Sequence, residues 1–108
     1  MRRERLENMV KGWFVGNFEP NVLQTGAVEV AVKDYQAGER EVWHYHKVAT
    51  EVTVIVQGEV LMNDQRYVAG DIVRVEPGEG TDFKAVTKTT TVVVKLPGAL
   101  NDKYLRGE

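Results

Sequence analysis

The 108-residue chain contains no cysteine. Disulfide bonds, thiolate metal ligands and cysteine nucleophiles are therefore excluded, and His, Asp and Glu remain as the side chains that could hold a metal ion. A lack of cysteine is in keeping with a cytoplasmic protein. The first ten residues have a charged start but no long apolar run, so we expect no signal peptide. The chain has no run of about 18 apolar residues, so we expect no membrane-spanning helix.

The chain also lacks an excess of either charge. It has 14 basic and 16 acidic residues, which gives a formal net charge of -2. A chain with so balanced a charge has no strong positive field to attract nucleic acids or anionic membranes, so we expect neither as a partner.

The pattern of short apolar segments predicts one all-β domain. Residues 2–10 could form a short helix or a frayed arm, because isolated helices of this length are marginal. From there on, strands with alternating faces and glycine, proline or asparagine turns predict a barrel or sandwich. The predicted strands cover 27–35, 41–46, 50–57, 59–62, 66–69, 71–75, 81–86 and 90–96. We divide the chain into an N-terminal helix or arm with a first strand (1–26), a barrel (27–97) and a tail (98–108).

The only two histidines of the chain form a pair, His44-Tyr45-His46, within a predicted strand. Side chains two apart leave the same face of a strand, so the two imidazoles can reach one ion. Glu51 opens the next strand, and an antiparallel neighbour can return its carboxylate toward the same point. Two histidines and one carboxylate suit Fe, Mn, Ni, Co or Zn. A histidine pair alone is more often a surface feature, and Glu51 alone would be a solvated strand residue.

Residues 38–58 resemble the first sequence motif of the cupin superfamily, G-x5-H-x-H-x3–4-E-x6-G. Gly38, His44, His46, Glu51 and Gly58 stand at its fixed positions. The resemblance implies a single-domain cupin β-barrel, also called a double-stranded β-helix or jelly roll. It further implies that His44, His46 and Glu51 bind a divalent metal ion beside a small-molecule pocket. Together with the thin core of so short a chain, it leads us to expect a homodimer.

The second cupin motif, G-x5-P-x-G-x2-H-x3-N, is matched in part by residues 70–83. If one extra residue is allowed before Pro77, Asp82 stands where the family has its last metal-binding histidine. We therefore predict Asp82 as a fourth ligand, with two alternatives: a group beside the metal, or an exposed turn residue. Two imidazoles and two carboxylates would favour Mn²⁺ or Fe²⁺.

Other side chains are candidates for contacts with a bound molecule. Tyr35, Gln57, Lys84 and Lys95 could offer polar groups, although each lysine could equally lie on a solvated strand face. The aromatic residues Trp13, Phe14, Trp43 and Tyr45 are expected to pack in the core or in a dimer contact.

Three functions follow from these residues and from the resemblance. The first is a metal-dependent enzyme acting on a small molecule, of the dioxygenase, isomerase, lyase or decarboxylase type. The second is a non-catalytic metal- or ligand-binding module, or a regulatory subunit, since cupins have many unrelated roles. The third is a metal-free nucleotide-sugar epimerase or isomerase, in which His44 or His46 would work with Asp82.

Overall fold

The computed structural model of the chain describes residues 1–108 and consists mainly of β-strands. A single turn of 3-10 helix, Leu6–Asn8, precedes nine strands. The strands are β1 Trp13–Val15, β2 Glu29–Tyr35, β3 Arg40–Tyr45, β4 Thr50–Gln57, β5 Glu59–Met62, β6 Gln65–Val68, β7 Ile72–Val75, β8 Gly80–Ala85 and β9 Thr89–Leu96. The eight strands predicted from β2 onward are confirmed, with ends that differ by at most two residues. The structure contains no helix with the length and apolarity needed to span a membrane.

The N-terminal segment forms less helix than residues 2–10 could have held. Only the three residues Leu6–Asn8 are helical, and Arg5 before them provides no side-chain hydrogen bond to cap the turn. An uncapped segment of this length cannot repay the cost of helix nucleation.

Two antiparallel sheets make up the all-β fold. One has the strand order β1-β2-β9-β4-β7, and the other has the order β3-β8-β5-β6. Their facing sides enclose an apolar cluster that consists of Tyr35, Ile55, Val60, Met62, Phe83 and Ala85. This arrangement is a double-stranded β-helix, and it leaves the other end of the barrel interior for polar side chains.

The inner faces of β2, β4 and β9 carry polar side chains beside apolar ones, whereas their outer faces are rich in valine. Glu29, Thr53, Thr91 and Lys95 are buried inside the barrel. On the outside, valines of the three strands stand side by side in the strand register, with Val94 next to both Val30 and Val52, and Val92 next to both Val32 and Val54. The alternation in the sequence identified these two faces but did not say which one points inward.

Candidate functional site

A cavity of about 270 Å³ lies within the barrel. Tyr35, Met62 and Phe83 belong both to its lining and to the apolar cluster, so the cluster forms its floor. Its wall carries both histidines together with charged side chains from Glu29, Glu41, Glu51, Lys11, Lys33, Lys95 and Lys103. A wider and more open groove of about 880 Å³ lies beside the N-terminal turn, but no histidine lines it.

His46 is buried, and its two ring nitrogens have different surroundings. Nδ1 is hydrogen-bonded to the backbone carbonyl of Asp102. Because a carbonyl oxygen can only accept, Nδ1 is assigned as the protonated nitrogen and Nε2 as the one with the free lone pair. Nε2 is buried and has no hydrogen-bond partner. Burial lowers the pKa of His46 and outweighs the opposing effect of the Asp102 carbonyl, and Lys95 lowers it further, so the neutral ring is favoured.

His44 has the same arrangement of ring nitrogens. Its Nδ1 lies 3.0 Å from the carbonyl oxygen of Val42, which again leaves the lone pair on Nε2. The two imidazole rings are 5.3 Å apart between centroids and nearly perpendicular. A neutral histidine whose other nitrogen donates to a carbonyl is the form that binds metal ions in proteins.

An irregularity in β3 places His44 on the inner side of the barrel. The pairing of β3 with β8 shifts register between Glu41 and His44. Side chains three residues apart would face opposite sides of a regular strand, but both of these residues line the cavity. A bulge next to a site commonly re-aims a side chain in this way.

Glu51 lines the same cavity as the histidine pair. It stands on β4 between Val75 of β7 and Lys95 of β9. The structure thus brings the three residues of the first motif to one cavity, and their donor types fit a divalent ion. No group of three or more His, Asp and Glu side chains lies close enough together to form a ready-made ion site.

Asp82 lies outside the cavity and is exposed. Its Oδ1 accepts a hydrogen bond of 2.7 Å from the backbone N–H of Asn63. The cause is strand parity: Phe83 is buried in the core, so the neighbouring Asp82 points outward. Asp82 is therefore exposed, as in the last of the three options given for it, and its side chain does not line the cavity with the histidine pair.

The same parity identifies a different residue at the position of the last motif histidine. Without an extra residue, counting from Gly70 places Glu76 at the proline of the motif, Gly78 at its glycine and Thr81 at its histidine. Thr81 is also the direct backbone partner of His44. The geometry favours this alignment over the one that selected Asp82.

Residues 102–104, which we call the C-terminal strap, form one side of the site. The carboxylate of Asp102 is buried and accepts hydrogen bonds from the backbone N–H groups of Lys47 (2.9 Å), Val48 (3.1 Å) and Ala49 (2.9 Å). Burial alone would raise the pKa of Asp102, but these three hydrogen bonds outweigh it and hold the pKa below its ordinary value. Since the Asp102 carbonyl also binds His46, the strap fixes the orientation of that ring.

The second end of the strap is held by β3. Tyr104 and Tyr45 exchange two backbone hydrogen bonds of 2.9 and 3.0 Å, and their rings lie 5.5 Å apart. Lys103, between the two fixed residues, lines the cavity. No role in the site was assigned to the tail (98–108) from the sequence, so this contribution was missed.

Two ion pairs neutralise part of the charge in the cavity. Lys33 lies 3.7 Å from Glu41, which also accepts a hydrogen bond of 2.7 Å from the hydroxyl of Tyr35. Lys95 lies 3.7 Å from Glu29. Burial and the Glu41 carboxylate raise the pKa of Tyr35 far above its ordinary value, so it stays protonated.

Among the residues proposed for polar contacts, Tyr35 and Lys95 line the cavity, whereas Gln57 and Lys84 do not. Trp13, which was expected in the core or in a dimer contact, also lines it, with the Nζ atoms of Lys33 and Lys95 at 5.2 and 5.8 Å from its ring. Trp43 and Tyr45 do not line it, and their rings contact each other at a tilt of 54°, 5.8 Å apart between ring centroids.

No family model and no curated protein matches the chain. Solved structures with the same fold do match. A conserved protein with a double-stranded β-helix domain from Klebsiella pneumoniae superimposes with a TM-score of 0.68 at 21% identity, over 90% of this chain and 85% of that one. KdgF from a Halomonas species gives a TM-score of 0.64 at 16% identity, over 71% and 74% of the two chains.

A sugar phosphate isomerase of the cupin superfamily from Silicibacter pomeroyi gives a TM-score of 0.61 at 22% identity. The match covers 65% of this chain and 50% of that protein, so this chain spans about half of its length. At these identities the comparisons establish the fold. The chain has the cupin fold, a small double-stranded β-helix, and it holds a cavity within the barrel.

Proposed function

We propose that the chain is a divalent-metal-binding cupin that acts on a small polar molecule in the cavity. The observation that supports it is the Nε2 atom of His46, which is buried and unpartnered beside a second imidazole, that of His44. A buried acceptor without a partner costs about 1–3 kcal/mol. An ion shared by His44 and His46, with Glu51 as a third ligand, would remove that cost.

Each part of the cavity has a role in this proposal. His44, His46 and Glu51 would hold Mn, Fe, Ni, Co or Zn, and such an ion supplies Lewis-acid or redox chemistry when it is bound. The apolar floor of Met62 and Phe83 excludes water from one side. A cavity of about 270 Å³ lies just below the usual range of drug-sized pockets, which favours a small substrate. The likeness to a protein named as a sugar phosphate isomerase fits a small polar substrate.

Metal analysis tests the proposal. We expect protein purified without chelator to carry close to one equivalent of a divalent metal, or to take it up in calorimetric titrations with Mn²⁺, Fe²⁺, Co²⁺, Ni²⁺ and Zn²⁺. The double variant His44→Ala/His46→Ala should lose binding, and Glu51→Gln should weaken it about 10- to 100-fold. Asp82→Asn, which removes one carboxylate outside the cavity, is the matched control and should bind as the parent does.

The metal proposal fails if the native protein carries no stoichiometric metal and takes up none of the five ions. It is also wrong in its ligand set if Asp82→Asn weakens binding as much as Glu51→Gln does. Stable co-purification with a partner protein, without turnover on a substrate panel, would support the non-catalytic alternative.

A second candidate is metal-free acid–base catalysis, of the type used on nucleotide sugars. It is supported by Thr81 at the position of the third histidine and by the absence of a three-ligand cluster. Neutral His46 would be the base, and Asp82 could not assist it from outside the cavity. Turnover of a nucleotide sugar that is unchanged by EDTA would favour this function over the first.

A further inference from the structure

Lys103 is an exposed residue that lines the cavity, and it differs from Lys33 and Lys95 because no carboxylate is paired with it. Lys33 and Lys95 are paired with Glu41 and Glu29. Lys103 lines the cavity but takes part in no such pair, and Glu41 is already bound by Lys33 and by the hydroxyl of Tyr35. The fourth cation, Lys11, lies in the exposed turn before β1.

We propose that Lys103 binds an anionic group of the small molecule, either a carboxylate or a phosphate. This inference rests on the proposed function, since it names the chemical class of ligand for the same cavity. An ammonium group is a point-charge donor that suits either anion, and charge-assisted hydrogen bonds are about twice as strong as neutral ones.

The strap fixes the backbone of Lys103 at the cavity. The preceding residue, Asp102, is held by three backbone N–H groups of the loop 47–49, and the following residue, Tyr104, is paired with Tyr45 of β3. The Nζ of Lys47 lies 4.1 Å from the centre of the Tyr104 ring and adds a further contact. A cation on a fixed backbone loses less entropy when a ligand binds than one on a loose tail.

The charge of the cavity also favours an anion. Once the two ion pairs are formed, Glu51 is the one remaining carboxylate in the lining, whereas Lys11 and Lys103 remain as cations. A divalent ion at the histidine pair would add two positive charges. An anionic ligand would bring this excess closer to neutrality, and it would provide a partner for the exposed, unpaired ammonium group of Lys103.

Titration with small anions tests the proposal on the protein as purified, with its metal content measured on the same sample. The probes are inorganic phosphate, succinate and succinamide, the last being the uncharged counterpart of succinate. Binding is followed by calorimetry and by backbone amide shifts of the strap and of β3. We expect one or both anions to bind and succinamide to bind at least about tenfold more weakly.

The variants separate the role of Lys103 from general effects of charge. Lys103→Met should weaken anion binding about tenfold or more while metal content stays unchanged, and Lys103→Arg should retain most of the affinity. Lys88→Met removes the same charge from the turn between β8 and β9, outside the cavity, and should bind as the parent does.

Three results would overturn the inference. They are equal anion affinity in Lys103→Met and the parent, no binding of phosphate or succinate by the parent, and loss of metal in Lys103→Met. If the protein carries no metal and takes up none of the five ions but still binds an anion through Lys103, the metal proposal alone is contradicted. The preferred anion then distinguishes a phosphate-bearing from a carboxylate-bearing ligand.

Discussion

At the residue scale, His46 connects the barrel with the C-terminal strap. Its backbone carbonyl accepts a hydrogen bond of 2.7 Å from the N–H of Gly78, in the turn before β8. Its Nδ1 donates to the carbonyl of Asp102, and its Nε2 lies in the cavity lining. The ring is therefore oriented by residues far from it in the sequence, and its reactive nitrogen depends on them.

Replacing Asp102 tests this dependence. Asp102→Ala leaves the N–H groups of Lys47, Val48 and Ala49 without their acceptor, so we expect the free energy of unfolding to fall by about 1–3 kcal/mol. Asp82→Ala, which loses a single exposed hydrogen bond, should cost less. Urea unfolding of both variants measures the difference, and equal losses would contradict the importance of the strap.

The pKa of Asp102 also predicts a pH dependence. Because the pKa is lower in the folded state than its ordinary value of 3.8, the unfolded chain binds the proton more tightly. The stabilisation is therefore fully present above about pH 4–5 and is lost as the pH falls through the folded-state pKa. The difference in unfolding free energy between the parent and Asp102→Asn should shrink in acid, as measured by urea unfolding in chelator. A difference that stays constant down to pH 2 would disagree with this.

The site residues that the sequence could reveal were those within one motif. His44, His46 and Glu51 lie within eight residues, and their match to one motif predicted that they would lie together. Asp102 and Lys103 reach the cavity from more than 50 residues away, and no local pattern marks such a contact. Asp82 was selected by assuming one extra residue, and it lies outside the cavity because a shift of one position exchanges the two faces of a strand.

At the element scale, the short strand β1 depends on a glycine. Gly12 has a φ of +83°, and a Cβ atom added there would lie 1.8 Å from the carbonyl oxygen of Val32 on the neighbouring strand. Since Trp13 follows directly and lines the cavity, the close approach of these two strands shapes the site as well.

We expect Gly12→Ala to be clearly more destabilising than the same change at Gly78. Gly78 has a similar φ of +88° but open space around it, so Gly78→Ala measures backbone strain alone, about 1–2 kcal/mol. At Gly12 the clash with backbone should add about 1–3 kcal/mol. Urea denaturation of the two variants gives the comparison. Equal losses would show that β1 moves away from β2 at little cost.

The strands were predictable because alternation and turn residues are local signals. It was harder to predict which side of each strand faces the inside of the barrel. On β2, β4 and β9 the valines would be assigned to the core by hydropathy, yet buried residues there include Glu29, Thr91 and Lys95. Ile55 and Val93 are buried on the same strands, so a barrel that holds a polar cavity reverses the usual rule only in part, and only the packing of the two sheets shows this partial reversal.

At the scale of the whole molecule, this reversal leaves an apolar outer face on the five-stranded sheet. Val94 lies on the central strand β9, between Val30 and Val52, and Ile72 on the edge strand is 67% exposed. Adjacent apolar side chains on a sheet surface are typical of an interface rather than of a solvated face.

We expect two copies of the chain to pair through this face. The variant Val94→Lys should then be monomeric, because it places a charge at the centre of the contact. Val42→Lys, at a valine that is 64% exposed on the other sheet, is the matched control and should stay dimeric. Light scattering coupled to size exclusion measures both masses. A monomeric parent at micromolar concentration would contradict the expectation.

The pairing of Thr81 with His44 has a consequence for protein engineering. The family motif has histidine where this chain has Thr81, and the backbone already holds that position directly across from a metal-ligand candidate. Thr81→His would therefore offer a third imidazole without changing the register of any strand. A directed-evolution library aimed at new metal preference or new reactivity could be confined to this one position and its neighbours, while the barrel serves as an unchanged scaffold.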